Sequence, residues 1–184
     1  TGAYFLRAAG IAAERDLGVA LLHSHPKGIG WQGLSKDDHA AESEHATAAQ
    51  VITGLPLVGL TLAGRDTSYS ARRWVRDRAT GQEAAAAAGV TPVGKKPWRD
   101  QQAVNVRIVG ERIRVFFNDS LLPVPSATQR SLRTVQSWGR LAHQDLIRLR
   151  IGIIGAGSVA QPVAETLVRT GFLHVDILDF DLNE

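Results

Sequence analysis

A short apolar strand that ends in two histidines is the feature that most restricts what this chain can fold into. Residues 18–22 are small or apolar, which predicts a buried strand. Side chains two residues apart on a strand point to the same face, so His23 and His25 project side by side. Pro26 follows directly, and because proline has no backbone N–H it ends the strand ladder there. The pattern therefore predicts two adjacent imidazoles at a strand end.

The next segment predicts a helix whose first turn faces that strand end. Residues 36–52 are rich in alanine and polar side chains, with Ser35 at the N-cap and Asp38 in the first turn. Ser-x-x-Asp is also close to an ordinary capping box, which is the alternative interpretation. Two imidazoles and one carboxylate that leave one position open are typical of a catalytic zinc site. We therefore predict that His23, His25 and Asp38 bind zinc.

The combined pattern, His-x-His-Pro followed by Ser-x-x-Asp, resembles the JAMM motif of the JAB/MPN metalloproteases. The resemblance implies that His23, His25 and Asp38 are the zinc ligands and that Ser35 helps to stabilise a tetrahedral oxyanion. The loop between the second histidine and the serine is longer than in the family pattern. The general-base glutamate of the family lies on an earlier strand, and we expect it upstream of Thr1.

Hydrophobic patterning predicts a mixed α/β domain over the first 118 residues. We expect a helix at 4–15, strands at 57–62 and 69–75, a loosely ordered insertion at 77–102 and a hairpin at 104–117. Glu14 is a candidate general base by position alone, but it lies on the predicted helix that directly precedes the strand with the two histidines. We interpret it as a solvated charge at the end of that helix.

A second motif follows a linker that contains Pro123 and Pro125. We predict one helix at 127–148, then a strand at 150–154, a Gly-x-Gly-x-x-Ala turn, a helix at 159–169 and a strand at 174–178. Glycines permit a tight turn and a close approach of the backbone to a phosphate at the helix N-terminus. This order predicts a nucleotide site formed by Gly155, Gly157, Ala160, Asp179 and Asp181.

The acidic pair that ends the last strand, with Gly171-Phe172-Leu173 before it, resembles the ThiF/ubiquitin-activating superfamily. That family adenylates the C-terminal glycine of ubiquitin-like proteins with ATP and magnesium. The resemblance implies a ubiquitin-like partner and allows a homodimer, because an arginine of the preceding helix often reaches the ATP of a partner subunit. Arg130, Arg133 and Arg140 are all candidates for that arginine. We expect the rest of the ATP site, and any catalytic cysteine, beyond Glu184.

Composition excludes several classes of function. The chain has no cysteine, which excludes disulfides and cysteine-ligated zinc and is typical of a cytoplasmic protein. It has no apolar run of the roughly 18 residues that a membrane span requires. Its net charge of +3 is too diffuse for a nucleic-acid footprint. We therefore expect neither a membrane nor a nucleic acid as a partner.

Together these patterns predict an α/β chain with three parts. A JAB/MPN-type zinc protease domain, with a mixed sheet and flanking helices, covers 1–118. A linker and basic helix cover 119–149, and the first β-α-β of a Rossmann-like adenylating domain covers 150–184. The expected function is cleavage of a ubiquitin-like tail or conjugate, coupled to adenylation of its C-terminus, although this fragment alone should be inefficient in both. The alternatives are a non-catalytic JAB-fold module that binds ubiquitin-like tails, and an NAD-dependent Rossmann enzyme.

Overall fold

The computed structural model describes residues 2–76, 98–126 and 132–180. The chain divides into two units, residues 1–118 and 119–184. The described residues form five helices and eight strands, so the chain is of mixed α/β class. No helix in these three ranges is both long and apolar enough to cross a lipid bilayer.

The first unit begins with a helix, a strand and a second helix, and continues with strands alone. Its elements are α1 (Gly2–Ala13), β1 (Ala20–His25), α2 (Lys36–Thr53), β2 (Val58–Ala63), β3 (Tyr69–Arg76), β4 (Trp98–Gln102), β5 (Asn105–Ile108) and β6 (Arg114–Phe117). The first four strands form one sheet in the order β1-β2-β3-β4, and β5 and β6 form a separate antiparallel pair. β1 runs parallel to β2, whereas the other neighbours are antiparallel. Parallel strands need a crossover connection, and α2 supplies it.

The core of this unit is formed by the two helices and the sheet. α1 contributes Phe5 and Ala9 to it, and α2 contributes Ala46 and Ala49. Ala12 lies on the same buried face of α1. The alanines of α1 and α2 have small side chains, so larger side chains are needed to complete the core. Leu57, Trp74 and Trp98 do so from the sheet side.

β4 lies in the segment that we predicted to be a loosely ordered insertion, so that prediction is wrong for residues 98–102. The sequence Trp-Arg-Asp-Gln-Gln has no apolar alternation that would indicate a strand. Its structure depends on tertiary contacts instead: β4 pairs antiparallel with β3, and the Trp98 indole N–H donates to Thr47 Oγ1 at 2.8 Å. The remainder of the predicted insertion, residues 77–97, lies outside the described residues.

The described residues of the second unit form two short helices and one β-α-β element. These are α3 (Leu132–Trp138), α4 (Arg140–Ile147), β7 (Arg150–Ile154), α5 (Ala160–Thr170) and β8 (His174–Leu178). β7 and β8 are parallel, and Arg150 lies opposite His174. The strand, helix and strand therefore follow in the predicted order.

The prediction of a single helix at 127–148 is wrong, because Gly139 separates two shorter helices. This glycine has φ +83°, a conformation that residues with a Cβ rarely adopt. Its N–H still donates to Val135 O at 2.8 Å, which closes the last turn of α3. α4 then begins one residue later. Residues 127–131 lie outside the described residues.

Candidate metal centre

His23 and His25 occupy the C-terminal end of β1, on the half-buried face of the strand. Their ring centroids are 5.1 Å apart and the ring planes are inclined by 52°. β1 extends further than the predicted apolar run, so both histidines are strand residues, and Pro26 follows the last of them. The period-2 alternation of the strand therefore brings the two imidazoles together.

Asp38 completes a cluster of three candidate ligands. Its Oδ2 lies 3.2 Å from His25 Nε2 and 3.8 Å from His23 Nε2. Two ligand atoms bound at the usual zinc distances in a tetrahedron are about 3.3 Å apart. All three donor atoms lie within 4.8 Å of one another, so His23, His25 and Asp38 could hold a metal ion. Their side chains are 27–30% exposed, which leaves a side from which another molecule can approach.

The same carboxylate belongs to the N-terminal cap of α2. Ser35 is the N-cap, its Oγ accepts from the Asp38 N–H at 3.1 Å, and its own N–H donates to Asp38 Oδ2 at 3.2 Å. The Ser35 hydroxyl also donates to Asp38 Oδ2, at 2.6 Å. The capping box and the three-residue cluster are therefore both present. Ser35 lies beside the cluster, whereas its predicted contact with an oxyanion stays a prediction.

Local interactions favour the protonation states that a metal site requires. Burial lowers the pKa of His23, although the nearby Asp38 carboxylate opposes this shift. The hydrogen bond from Ser35 lowers the pKa of Asp38, and the contact with His25 adds to the effect. At neutral pH the imidazole is therefore neutral and the carboxylate ionised, which are the forms that bind metals.

Gln32 orients His25 from the loop that joins β1 to α2. Its amide nitrogen donates to Ile29 O at 2.8 Å and to Gly30 O at 3.2 Å, which fixes the direction of the amide. Its Oε1 then lies 3.2 Å from His25 Nδ1 and can accept a hydrogen bond from it. Nε2 of His25 is then the nitrogen that faces Asp38, at 3.2 Å from Oδ2. At Gly28 a Cβ would overlap the Gln32 amide, so the glycine makes room for this contact.

Glu42 is a further residue beside the cluster that the sequence motif did not indicate. It lies one turn after Asp38 on α2 and is 3% exposed. Its Oε1 is 3.6 Å from His23 Nδ1. A signal existed in the sequence, since Glu42 is four residues from Asp38 and so on the same helix face. This spacing does not by itself indicate burial, which separates Glu42 from the exposed Glu44 in the folded chain.

A cavity of about 580 Å³ opens beside these residues. Its walls come mainly from α1, β1 and the exposed start of α2, and include Tyr4, Leu21 and Leu22. His23, Asp38 and Glu42 contribute its polar part. Ligand-binding cavities commonly have this size and this mixture of apolar walls with a few polar groups.

The predicted nucleotide loop of the second unit connects β7 to α5. Gly155 has φ +91° and its N–H donates to Leu178 O at 2.7 Å. The Asp179 carboxylate accepts from the Ala156 N–H at 2.6 Å, so this side chain contacts the loop itself. Gly157 lies in the turn, and Ala160 is the first residue of α5. Asp181 lies outside the described residues.

Comparisons of the chain with protein-family models, with curated proteins and with solved structures find no match. The resemblance to the JAB/MPN metalloproteases and to the ThiF superfamily therefore rests on the two motifs and on the local geometry around them.

Substitutions at the two ends of the capping box should separate the cap from the ligand cluster. Asp38→Asn keeps a capping side chain but replaces an anionic ligand with an amide, so most of the metal affinity should be lost at little cost in stability. Ser35→Ala should lower the free energy of unfolding by about 1 kcal/mol while metal binding persists. Zinc titration and thermal unfolding of both variants measure the two effects. Unchanged zinc affinity in Asp38→Asn would reduce the motif to an ordinary helix cap.

Proposed function

We propose that the first unit is a zinc-dependent peptidase or isopeptidase of the JAB/MPN kind. The observation that carries this proposal is the convergence of His23, His25 and Asp38 at distances that suit one metal ion. Catalytic zinc sites use three protein ligands and keep a fourth position open, whereas structural sites use four. Partial exposure of the three side chains and the adjoining cavity support the catalytic kind.

Each residue of the cluster has a defined task in this proposal. The two neutral imidazoles and the ionised Asp38 would hold the metal, which when bound acts as a Lewis acid toward a scissile carbonyl and a water molecule. The Ser35 hydroxyl donates its one proton to Asp38 Oδ2 at 2.6 Å, and it would have to rotate away from Asp38 to donate to a developing oxyanion. Such a donor is worth on the order of 3 kcal/mol in other hydrolases.

Glu42 does not fit the role of the general base. Its carboxylate is buried and accepts hydrogen bonds on both oxygens, from Arg72 and from the Trp74 indole N–H. Glu14 is exposed just after α1, as we expected of a solvated charge. We therefore assign the role of general base to neither Glu42 nor Glu14.

The expected substrate is an extended peptide, and from the motif resemblance we propose the C-terminal tail of a ubiquitin-like protein or its isopeptide conjugate. The cavity beside His23 offers apolar walls to such a chain. A module that binds these tails without cutting them would use the same surface. Metal binding and hydrolysis distinguish the two.

The metal content of the purified chain tests the centre directly. We expect about one zinc per chain after dialysis, and none in the His23→Ala/His25→Ala double variant, because two of three ligands are removed. Elemental analysis should include iron, since two histidines and one carboxylate also suit iron(II). Equal zinc in the parent chain and the double variant would contradict the proposed site.

Hydrolysis of a ubiquitin-like protein that carries a C-terminal extension tests the activity. We expect slow cleavage by this chain, because Glu42 cannot serve as base. A chelator or the double histidine variant should abolish it. Ser35→Ala should reduce it by about 10²–10³-fold if the hydroxyl stabilises the oxyanion. Cleavage that survives both chelation and loss of the histidines would contradict a metal-dependent mechanism, and rapid cleavage would identify an internal general base.

For the second unit we propose nucleotide binding at the loop between β7 and α5, with ATP and magnesium as the expected ligands and NAD as the alternative. Backbone N–H groups at the start of a helix bind phosphates. The proposal is supported by the β-α-β order and by the positive φ of Gly155 in the loop.

Gly157→Asp tests this loop with little risk to folding. A Cβ at this position meets no other atom within 4 Å, so the change should leave stability unaltered. The added carboxylate should repel phosphates and abolish nucleotide binding. Calorimetric titration with ATP plus magnesium, and separately with NAD, measures the effect and identifies the nucleotide. Equal binding by the parent chain and the variant would exclude the loop as the site.

A further inference from the structure

A buried cluster of charged and polar side chains lies directly beside His23. Glu42 of α2 and Arg72 of β3 form an ion pair, with Arg72 Nε donating to Glu42 Oε2 at 2.8 Å and Arg72 Nη2 donating to Oε1. The Trp74 indole N–H donates to Glu42 Oε2 at 2.8 Å. Arg72 Nη1 donates to Thr61 Oγ1 on β2 at 2.9 Å. Each of these four residues is at least 97% buried.

Such a cluster is not explained by stability alone. Burial of an ion pair removes two charges from water, and well-packed apolar side chains of the same volume are often equally stable or more so. Position 59 of β2 is a glycine, and this leaves room for the ion pair. A Cβ at Gly59 would overlap Glu42 Oε2 and approach Arg72 Nε. A role beyond packing is therefore indicated, and His23 is the neighbour that it would serve.

The cluster presents a different partner to each ring nitrogen of His23. Glu42 Oε1, which can only accept, lies 3.6 Å from Nδ1. Thr61 Oγ1 lies 3.4 Å from Nε2. Because Thr61 already accepts from Arg72, its own hydroxyl proton can be donated to Nε2. Both contacts favour the tautomer with the proton on Nδ1 and the lone pair on Nε2. The Asp38 carboxylate opposes this preference, but it lies farther from Nε2, at 3.8 Å, than Glu42 lies from Nδ1.

We propose that Glu42 is a positioning residue for the metal centre: it holds His23 in the Nδ1-protonated tautomer with Nε2 directed at the metal. Arg72 donates to both carboxylate oxygens of Glu42 and so holds the carboxylate beside His23. This inference rests on the proposed metal site. Metal-bound histidines commonly donate their second N–H to a carboxylate or carbonyl, which fixes the ring and increases its basicity. Glu42 does for His23 what the Gln32 amide does for His25, but with a full negative charge.

Metal affinity of matched variants tests this role. Glu42→Gln keeps the size of the side chain and removes its charge, and we expect zinc affinity to fall by about 10–100-fold, measured by competition with a chromophoric chelator. Trp74→Phe is the control. It removes a hydrogen bond from the other Glu42 oxygen, so it should reduce thermal stability while zinc affinity stays close to that of the parent chain. Equal affinities in the parent chain and in Glu42→Gln, or equal losses in both variants, would overturn the proposal.

A second measurement needs no variant and no metal. Long-range ¹H–¹⁵N spectra of the metal-free parent chain, with assigned histidines, report which ring nitrogen of His23 carries the proton. The proposal requires Nδ1, and a proton on Nε2 would overturn it. If the parent chain binds no metal, the proposed zinc site fails, whereas the tautomer still shows whether Glu42 orients the ring. The two failures are thus distinguishable.

Discussion

The hydrogen bonds between Ser35 and Asp38 are the interaction that links the start of α2 to the candidate site. They close the capping box that begins α2, and they fix the carboxylate whose Oδ2 contacts both imidazoles. A carboxylate in the first turn stabilises a helix in any case. It accepts hydrogen bonds from N–H groups that have no partner within the helix, and its negative charge interacts favourably with the positive end of the helix dipole. The arrangement therefore needs no strained conformation, and the same bonds serve the helix and the site.

The topology then brings the cap to the histidines. β1 and β2 are parallel and joined through α2, so the start of α2 must lie near the end of β1. The loop between them is held along its length: the Gly30 N–H donates to Asp66 at 2.7 Å and the Gln32 N–H donates to Ser70 Oγ at 2.6 Å. A loop longer than the family pattern is thus compatible with a well-defined position for Gln32 beside His25.

Periodic features of the sequence predicted the central part of this arrangement. Alternation along β1 indicated that His23 and His25 share a face, and the capping pattern indicated where Asp38 would lie. Both follow from local rules, which is why sequence sufficed. β4 and the break at Gly139 were missed because one depends on pairing with a distant strand and the other on a single backbone conformation.

The residues that support the histidines could not be predicted from the motif. Glu42 and Arg72 are far apart in sequence, and each resembles an ordinary surface charge until the chain folds. Gln32 lies in a glycine-rich loop whose path has no periodicity. Their roles follow from burial and from the direction of particular atoms, which only the folded structure defines.

The position of β1 in the sheet has a consequence for how a metal would be retained. Among the described strands β1 pairs with β2 alone, and Leu22 on it is 60% exposed. Local opening is easiest at such an edge. Separation of β1 from β2 would carry away two of the three candidate ligands together and leave Asp38 on α2. A bound ion would therefore oppose that opening. Amide hydrogens of β1 would then exchange more slowly when the metal is bound than when it is absent.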